Sequence, residues 1–554
     1  MINNKELANI IFPDVATTID DLEKKFPKRM LPEGAEVTRF APSPTGFLHT
    51  GSLFTSMICR KVATQSGGVF YVRLEDTDTK REIEGSGQEL LEQLSLFNVT
   101  PDEGYLGNKQ KGAYGPYIQS ERADIYRVVI KYLLEMGKAY PCFCTPEELN
   151  EIRTKQEAAK LVPGYYGQFA KCRFLTNDER ATRLLAGEPF VIRFKSSGNH
   201  IRKIRVSDLI RGTFEIAQND QDIVIYKSDG LPTYHFAHVV DDHFMRTTTV
   251  IRGEEWIASL PIHIELFEAL GWPAPLYAHL PVIMKLDENG NKRKLSKRLD
   301  SEAAVSYFLK DGYPTEALIM YLMTIANSNF EEWIFQHKFE HMEEFTFSFG
   351  KMSLDGALFD IGKLNFFARE ILAKKNKDEI YDMVVDYASK YQPKLLEVVN
   401  RSPAYFKEIM NIEREKENPR KDYEKFGDLL NSIGFFYDDF YDAILKEALP
   451  FNEKLSSSLI SKVLVAIKDD LSLDQDEQSW FSQMKQIGES LGFAPNGKLF
   501  KNNPGLYVGS VADVAEILRI TLTGKKNSPN LYYVMKVLNK GRCDARIKRV
   551  ISSF

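Results

Sequence analysis

Cysteine is scarce in this chain, five in 554 residues, and the odd count excludes a fully paired disulfide scaffold. A reducing compartment suits it, so the expected location is the cytoplasm. No apolar run is long enough to span a bilayer, and no membrane partner is expected. Met1 to Phe26 carries scattered charges without an apolar h-region, unlike a signal peptide. Excess basic charge is also missing. The formal net charge of -5 neither requires nor excludes a nucleic acid, because binding depends on a local surface and not on the total. Internal repeats, low-complexity linkers and a P-loop are absent from the sequence. What remains is an ordinary globular composition, 43% hydrophobic and 27% charged, in a chain too long for one core; three to five compact units are expected.

The most informative stretch is Arg39-Phe40-Ala41-Pro42-Ser43-Pro44-Thr45-Gly46-Phe47-Leu48-His49-Thr50-Gly51-Ser52. Val37 to Phe40 reads as a strand. Pro42 and Pro44 stiffen the turn, and Gly46 and Gly51 permit close backbone approach. A helix is expected to start near Ser52, with its first amides facing whatever sits over His49. A second strand, Val69 to Leu74, then runs into Glu75, Asp76 and Asp78. Strand, helix, strand in so short a span predicts a right-handed parallel crossover, which puts those acids on the same rim as His49.

These residues resemble the class I aminoacyl-tRNA synthetases, and within them the glutamyl family. The resemblance rests on RFAPSPTGFLHTGS, RLEDTDTKRE, YKSDGLPTYHFAHVVDDH followed by VIRGEEW, and Lys294-Leu295-Ser296-Lys297-Arg298, in the family's order. It is close through Arg298 and looser beyond. It implies an α/β fold: a Rossmann-like parallel-sheet catalytic domain with an inserted acceptor-binding domain, followed by mainly α-helical C-terminal domains. The expected division is an N-terminal extension, 1–36; the catalytic domain in two halves, 37–115 and 228–290; the insertion, 116–227; a stem-contact domain carrying the KLSKR loop, 291–385; and a helical anticodon-binding region, 386–554.

The implied activity is ATP-dependent activation of L-glutamate and its transfer to tRNA(Glu), with Mg2+ bridging phosphate oxygens and the protein a monomer. Forming an acyl-adenylate needs neutral or cationic donors on the leaving diphosphate. By resemblance these are His49, Lys294 and Lys297, with Gly51 and Ser52 also on the ATP side. Class I enzymes often have a second histidine where this chain has Ser52; glutamyl members commonly carry a small residue there. A solvated charge run is the alternative for the lysines, beside Lys285, Lys292 and Arg293.

Choosing glutamate over glutamine is a choice of charge at nearly constant shape. A guanidinium fork can make it, since an unpaired buried charge costs about 2–5 kcal/mol. Arg39 and Arg252 are the candidates by resemblance, with Glu75 on the ammonium and Tyr234 and Ser43 as further contacts. The plainer alternatives are an Arg39–Asp76 pair and a Tyr234 packed in a strand. His238 stands where many relatives have asparagine, and Trp256 is either core or a wall beside the adenosine or tRNA end.

Some family members bind structural zinc in the insertion. The implied ligands here are Cys142, Cys144 and Cys172, with Tyr165, Tyr166 or His200 open for the fourth place and buried free thiols as the alternative. Near the C-terminus Lys525, Lys526, Lys536, Lys540, Arg542, Arg546, Lys548 and Arg549 outnumber Asp513, Glu516 and Asp544, which fits either tRNA contact or a solvated helix face.

Overall fold

The computed structural model describes all residues except Thr45, Thr79 to Glu82, Lys297 and Pro504. The expected nucleotide contact Lys297 therefore lies outside the described residues. Two compact units form, Met1–Tyr307 with Ile319–Phe359, and Phe308–Leu318 with Asp360–Phe554.

In the first unit, helices α1 (Asn4–Ile11) and α2 (Ile19–Lys25) each begin with a capping box, Asn3 with Glu6 and Thr18 with Asp21. Their apolar residues Ala8, Phe12, Leu22 and Phe26 enter the same core as Val37, Tyr71 and Val129. The first 36 residues are thus built into the catalytic core. Strand β1 (Val37–Phe40) is buried at every position, as a strand covered on both faces must be. Helix α3 (Thr50–Ser66) leads to β2 (Val69–Val72), parallel to β1 in the register Val37↔Val69 to Phe40↔Val72. The expected crossover is present. Its helix begins at Thr50, two residues before the predicted start, because His49 and not Ser52 is the N-cap. After α4 (Ser86–Leu96), β3 (Glu103–Tyr105) adds in parallel and β4 (Gln110–Lys111) closes the edge antiparallel.

Helix α5 (Ala123–Glu135) then leads to β5 (Ala139–Cys142), α6 (Pro146–Ala158), α7 (Asn177–Leu185) and β6 (Val191–Phe194). A hairpin of β7 (Lys203–Asp208) and β8 (Gly212–Ala217) precedes β9 (Val224–Tyr226). Strands β5, β6 and β9 make an antiparallel sheet. Val224 to Tyr226 thus closes the sheet of the expected insertion. Ile192, Phe194 and Ile225 share a core with Val37 and Tyr71. That shared core explains why fewer units form than length alone suggests.

Helix α8 (Tyr234–Phe244), β10 (Thr249–Gly253), α9 (Leu260–Leu270) and β11 (Leu276–Leu280) follow. Strands β10 and β11 are parallel, β11 pairs with β7 at Tyr277↔Asp208, and Thr248 N–H donates to Val37 O, setting β10 beside β1. The β7–β8 hairpin, expected with the insertion, thus reaches the catalytic half. The hairpin of β12 (Met284–Leu286) and β13 (Lys292–Lys294) leads into the KLSKR loop.

The second unit is helical, as expected. Helices Ser457–Asp470 and Val511–Thr523 turn their apolar faces to helix Leu531–Ile551 in one core. Among the described residues no helix is long and apolar enough to cross a membrane.

Candidate active site

A cleft of about 740 Å³ opens at the carboxyl ends of β1, β2 and β10. It is lined by Arg39, Ser43, His49, Gly51, Ser52, Glu75, Tyr234, Arg252, Trp256 and Lys294. Every described residue assigned to the site from sequence meets there.

At one end, His49 caps α3 and its Nδ1 accepts the Gly51 N–H at 3.0 Å. That bond places the proton of the neutral ring on Nε2. A Cβ on Gly51 would lie 3.2 Å from His49 Nδ1, so the missing side chain leaves room for the ring, whereas Gly46 serves a positive φ of 138°. The amides of Ser52 and Leu53 are bonded to His49 O. This corrects the expectation for Gly51 and Ser52: their amides are held by His49 and do not face the cleft as open donors. Ser52 brings its side chain to the lining instead.

The signature turn is tied to the far end of the catalytic half. His49 bridges Ala304, Val305 N–H donates to Leu48 O, and the Thr50 hydroxyl donates to Glu302 O at 2.6 Å. Asp300 pins the intervening loop. It accepts from Arg293 at 2.6 and 2.8 Å and from Ser296 N–H at 2.8 Å, with Lys285 at 3.3 Å, and its carboxyl is held well below the usual range chiefly by Arg293. Lys285 and Arg293, mere neighbours of the motif in sequence, are thereby structural. Lys294 is more open, with Glu255 at 3.6 Å.

At the other end lies a buried charge network that sequence reasoning did not find. Arg73 Nη1 donates to Asp242 Oδ1 at 2.7 Å and Nη2 to Glu75 Oε1 at 2.9 Å. Arg39 Nε lies 3.3 Å from Asp242 Oδ2, and its Nη1 reaches Ile251 O. The alternative Arg39–Asp76 pair does not form, because Asp76 accepts from the Ser120 N–H and hydroxyl. Burial would raise the Asp242 carboxyl, but Arg39, Arg73 and His238 hold it well below its ordinary value. Glu75 moves the other way: burial raises it against the pull of Arg73 and Arg39. His238 lies fully buried with Nδ1 3.0 Å from Asp242 Oδ2, and burial drives it down to about 3 despite Asp242. The signal was present in His238-Val-Val-Asp241-Asp242, where i,i+4 spacing on a helix sets the imidazole over the second aspartate.

Tyr234 is the first residue of α8, not a strand residue, and its ring centroid lies 4.5 Å from that of Trp256. Both are half-buried in the cleft wall, so Trp256 is not a core tryptophan. Arg252 is only 5% exposed. Its partners are His279 Nε2 at 3.1 Å, His263 Nδ1 at 3.3 Å and Trp256 O at 3.4 Å. Among the described residues no carboxylate stands within ion-pair distance of it. A buried cation so arranged, opening on a cleft, calls for an anion from outside.

Residues 36–366 match the family described as tRNA synthetases class I (E and Q), catalytic domain, and residues 509–551 match the anticodon binding domain. The chain belongs to the class I tRNA synthetases of the E and Q group. This synthetase is 45% identical over 549 residues to the glutamate–tRNA ligase of Clostridium perfringens strain SM101, covering 99% of both chains. It is 43% identical over 550 residues to that of Clostridium beijerinckii, again covering 99% of each. Among solved structures, a glutamate tRNA ligase from Elizabethkingia meningosepticum in complex with its amino acid aligns with a TM-score of 0.73 and 30% identity. That alignment covers 94% of this chain and 99% of the other.

Away from the cleft, Cys142, Cys144 and Cys172 present their sulfurs within 4.8 Å of one another. Cys144 Sγ lies 3.7 Å from Cys172 Sγ, close to the edge of about 3.8 Å that zinc–sulfur bonds of about 2.3 Å give a tetrahedron. The Tyr165 hydroxyl sits 3.2 Å from Cys144 Sγ and 3.5 Å from Cys142 Sγ. Tyr166 bonds Val162 O and His200 pairs with Asp220, so neither joins the cluster. The donor set fits a four-coordinate thiophilic metal.

The basic C-terminal count is offset in part. Arg546 is buried, bonded to Leu522 O and Asp438; Arg549 pairs with Asp442 and Lys540 with Asp544. Asp438 and Asp442 come from a distant segment, which a local charge count could not include.

Proposed function

We propose that this synthetase activates L-glutamate with ATP to glutamyl-adenylate, then transfers glutamate to the 3'-terminal adenosine of tRNA(Glu), releasing AMP and diphosphate. The observation that carries the reading is Arg252, a buried cation with no carboxylate at ion-pair distance among the described residues, in one cleft with His49, Glu75 and Lys294. The glutamate side-chain carboxylate supplies the missing anion, paired with Arg252 and approached by Arg39. Glutamine offers no charge there, and its amide NH2 would face guanidinium donors. Glu75 receives the ammonium, Ser43 lies at the rim, and Tyr234 walls the pocket.

The α-carboxylate oxygen attacks the α-phosphorus of magnesium-bound ATP, and the bond to diphosphate breaks. His49, donating through Nε2, and Lys294 and Lys297 stabilise charge on the departing oxygens. The adenosine hydroxyl of tRNA then attacks the acyl carbon and AMP leaves. The insertion, 116–227, grips the acceptor end, and 386–554 reads the anticodon. A zinc ion held by Cys142, Cys144, Cys172 and Tyr165 would brace the insertion and take no part in the chemistry.

Aminoacylation with purified tRNA(Glu) and tRNA(Gln), offering glutamate or glutamine, tests the reading. Charging with glutamate is expected. Charging with glutamine alone would overturn it.

A further inference from the structure

Arg252 does not point into the cleft unaided. It faces His279 across the parallel register of β10 and β11, and His279 in turn meets Asp208 at the end of β7. A guanidinium can only donate, so both imidazole nitrogens that touch it must be unprotonated. His279 therefore carries its proton on Nδ1 and gives it to Asp208 Oδ2 at 2.7 Å. His263 carries its proton on Nε2 and gives it to His235 Nδ1 at 3.0 Å. Burial, and the nearby Arg252 cation, keep His279 and His263 below their ordinary titration range, consistent with neutral rings.

The bonds to His279, His263 and Trp256 O use three of the five guanidinium N–H groups. Among the described residues nothing else is bonded to the two terminal nitrogens, so one N–H on each is left to grip a carboxylate. Had Asp208 touched Arg252 directly, it would have neutralised the cation. Set one imidazole away, it orients the cation and leaves its charge to the ligand.

We propose that Asp208 and His279 are positioning residues for glutamate recognition: the carboxylate locks the imidazole tautomer, and the imidazole holds the Arg252 fork toward the substrate's side-chain carboxylate. This rests on the glutamate reading above. Asp208 also accepts the Ile210 and Arg211 amides through Oδ1 and the His279 amide through Oδ2 at 3.0 Å, structural duties that the test must separate.

Asp208→Asn with variants of His279, which keep the backbone bonds, does so. The asparagine carbonyl can still cap the turn, but its NH2 accepts from neither the His279 ring nor the His279 amide, and the tautomer reverses to set a donor against a donor. Replacing an orienting aspartate by asparagine acts in this way in serine proteases. The assay is tRNA-dependent pyrophosphate exchange with the whole protein, alongside thermal unfolding. Expected for Asp208→Asn is a rise of about 10- to 100-fold in the glutamate KM and an ATP KM within about twofold, with an unfolding midpoint lowered by the lost bond to the His279 amide. His279→Gln, whose carbonyl can reach Arg252 Nε, should recover to within about threefold of wild type, whereas His279→Phe should behave like Asp208→Asn.

An unchanged glutamate KM in Asp208→Asn, while Arg252→Gln loses glutamate, overturns the positioning role and leaves the glutamate reading intact. Equal rises in both KM values, or a His279→Phe variant with the glutamate KM of wild type, reduce Asp208 to its backbone bonds and also overturn it. A wild-type protein that uses no glutamate removes the underlying reading instead.

Discussion

Lowering the pH from 7 to 5 should weaken the first unit through His238, and the loss can be sized. An ordinary histidine takes its proton near pH 6.5, but His238 is fully buried and driven down to about 3, with Asp242 opposing and Arg252 and Arg39 assisting. Between those values the unfolded chain binds a proton that the folded one refuses, so stability rises with pH across the window. It is fully present above about pH 6.5 and lost as pH falls toward 3. At pH 5 the deficit is about one and a half pH units at about 1.36 kcal/mol each, roughly 2 kcal/mol. The half-buried His235 and His243 and the buried His263 and His279 are lowered too and add to the total slope. His238→Asn isolates one contribution. Urea unfolding followed by tryptophan fluorescence suits the measurement, because Trp256, Trp272 and Trp333 all belong to this unit. With a denaturant slope of about 3 kcal/mol/M, the wild-type midpoint should drop by about 0.7 M more than the variant's between pH 7 and 5. Parallel pH dependence in the two proteins would refute the reasoning.

Arg252→Gln should lower glutamate kcat/KM by some tens to thousands of fold, equivalent to about 2–5 kcal/mol, with the ATP KM nearly unchanged. Unaltered glutamate kinetics would remove Arg252 from recognition. Lys297→Ala should cut adenylate formation by about 100-fold while filter binding of tRNA stays normal, since one phosphate donor is lost far along the chain from the anticodon region. Equal losses in folded protein would count against the assignment. Elemental analysis should find about one zinc per chain, falling to near none in Cys144→Ser with a lower unfolding temperature. A metal-free wild type of full stability leaves three free thiols.

Local features carried furthest in the sequence. The β1–α3–β2 crossover was legible from one strand-like run, a stiff turn and a glycine at each helix end, because short-range sterics and burial decide such a unit. Leu455 to Ile467 and Val511 to Leu522 are legible as helices from apolar residues at helical spacing. The site residues, by contrast, came from motif resemblance, and their partners were hidden. Arg73 looks like any strand cation until α8 lays Asp241 and Asp242 against it. Asp208 and His279, 71 residues apart, meet only because β7 and β11 pair. Tyr234 changed from strand to helix because Thr233 adopts the extended N-cap geometry from which α8 departs. The hidden set shares one property: each contact joins segments whose adjacency is a fact of topology, which no local window contains.

The clasp between Leu48–His49 and Ala304–Val305 also has a bearing on how the protein comes into being. A ribosome exposes the signature turn early, yet the segment that fastens it is made some 250 residues later, as the separation of Thr50 from Glu302 records. Nascent chains that stop short of that point would own the histidine without the place to hold it. Nucleotide binding should therefore emerge abruptly during synthesis, with the last stitch and not with the first motif.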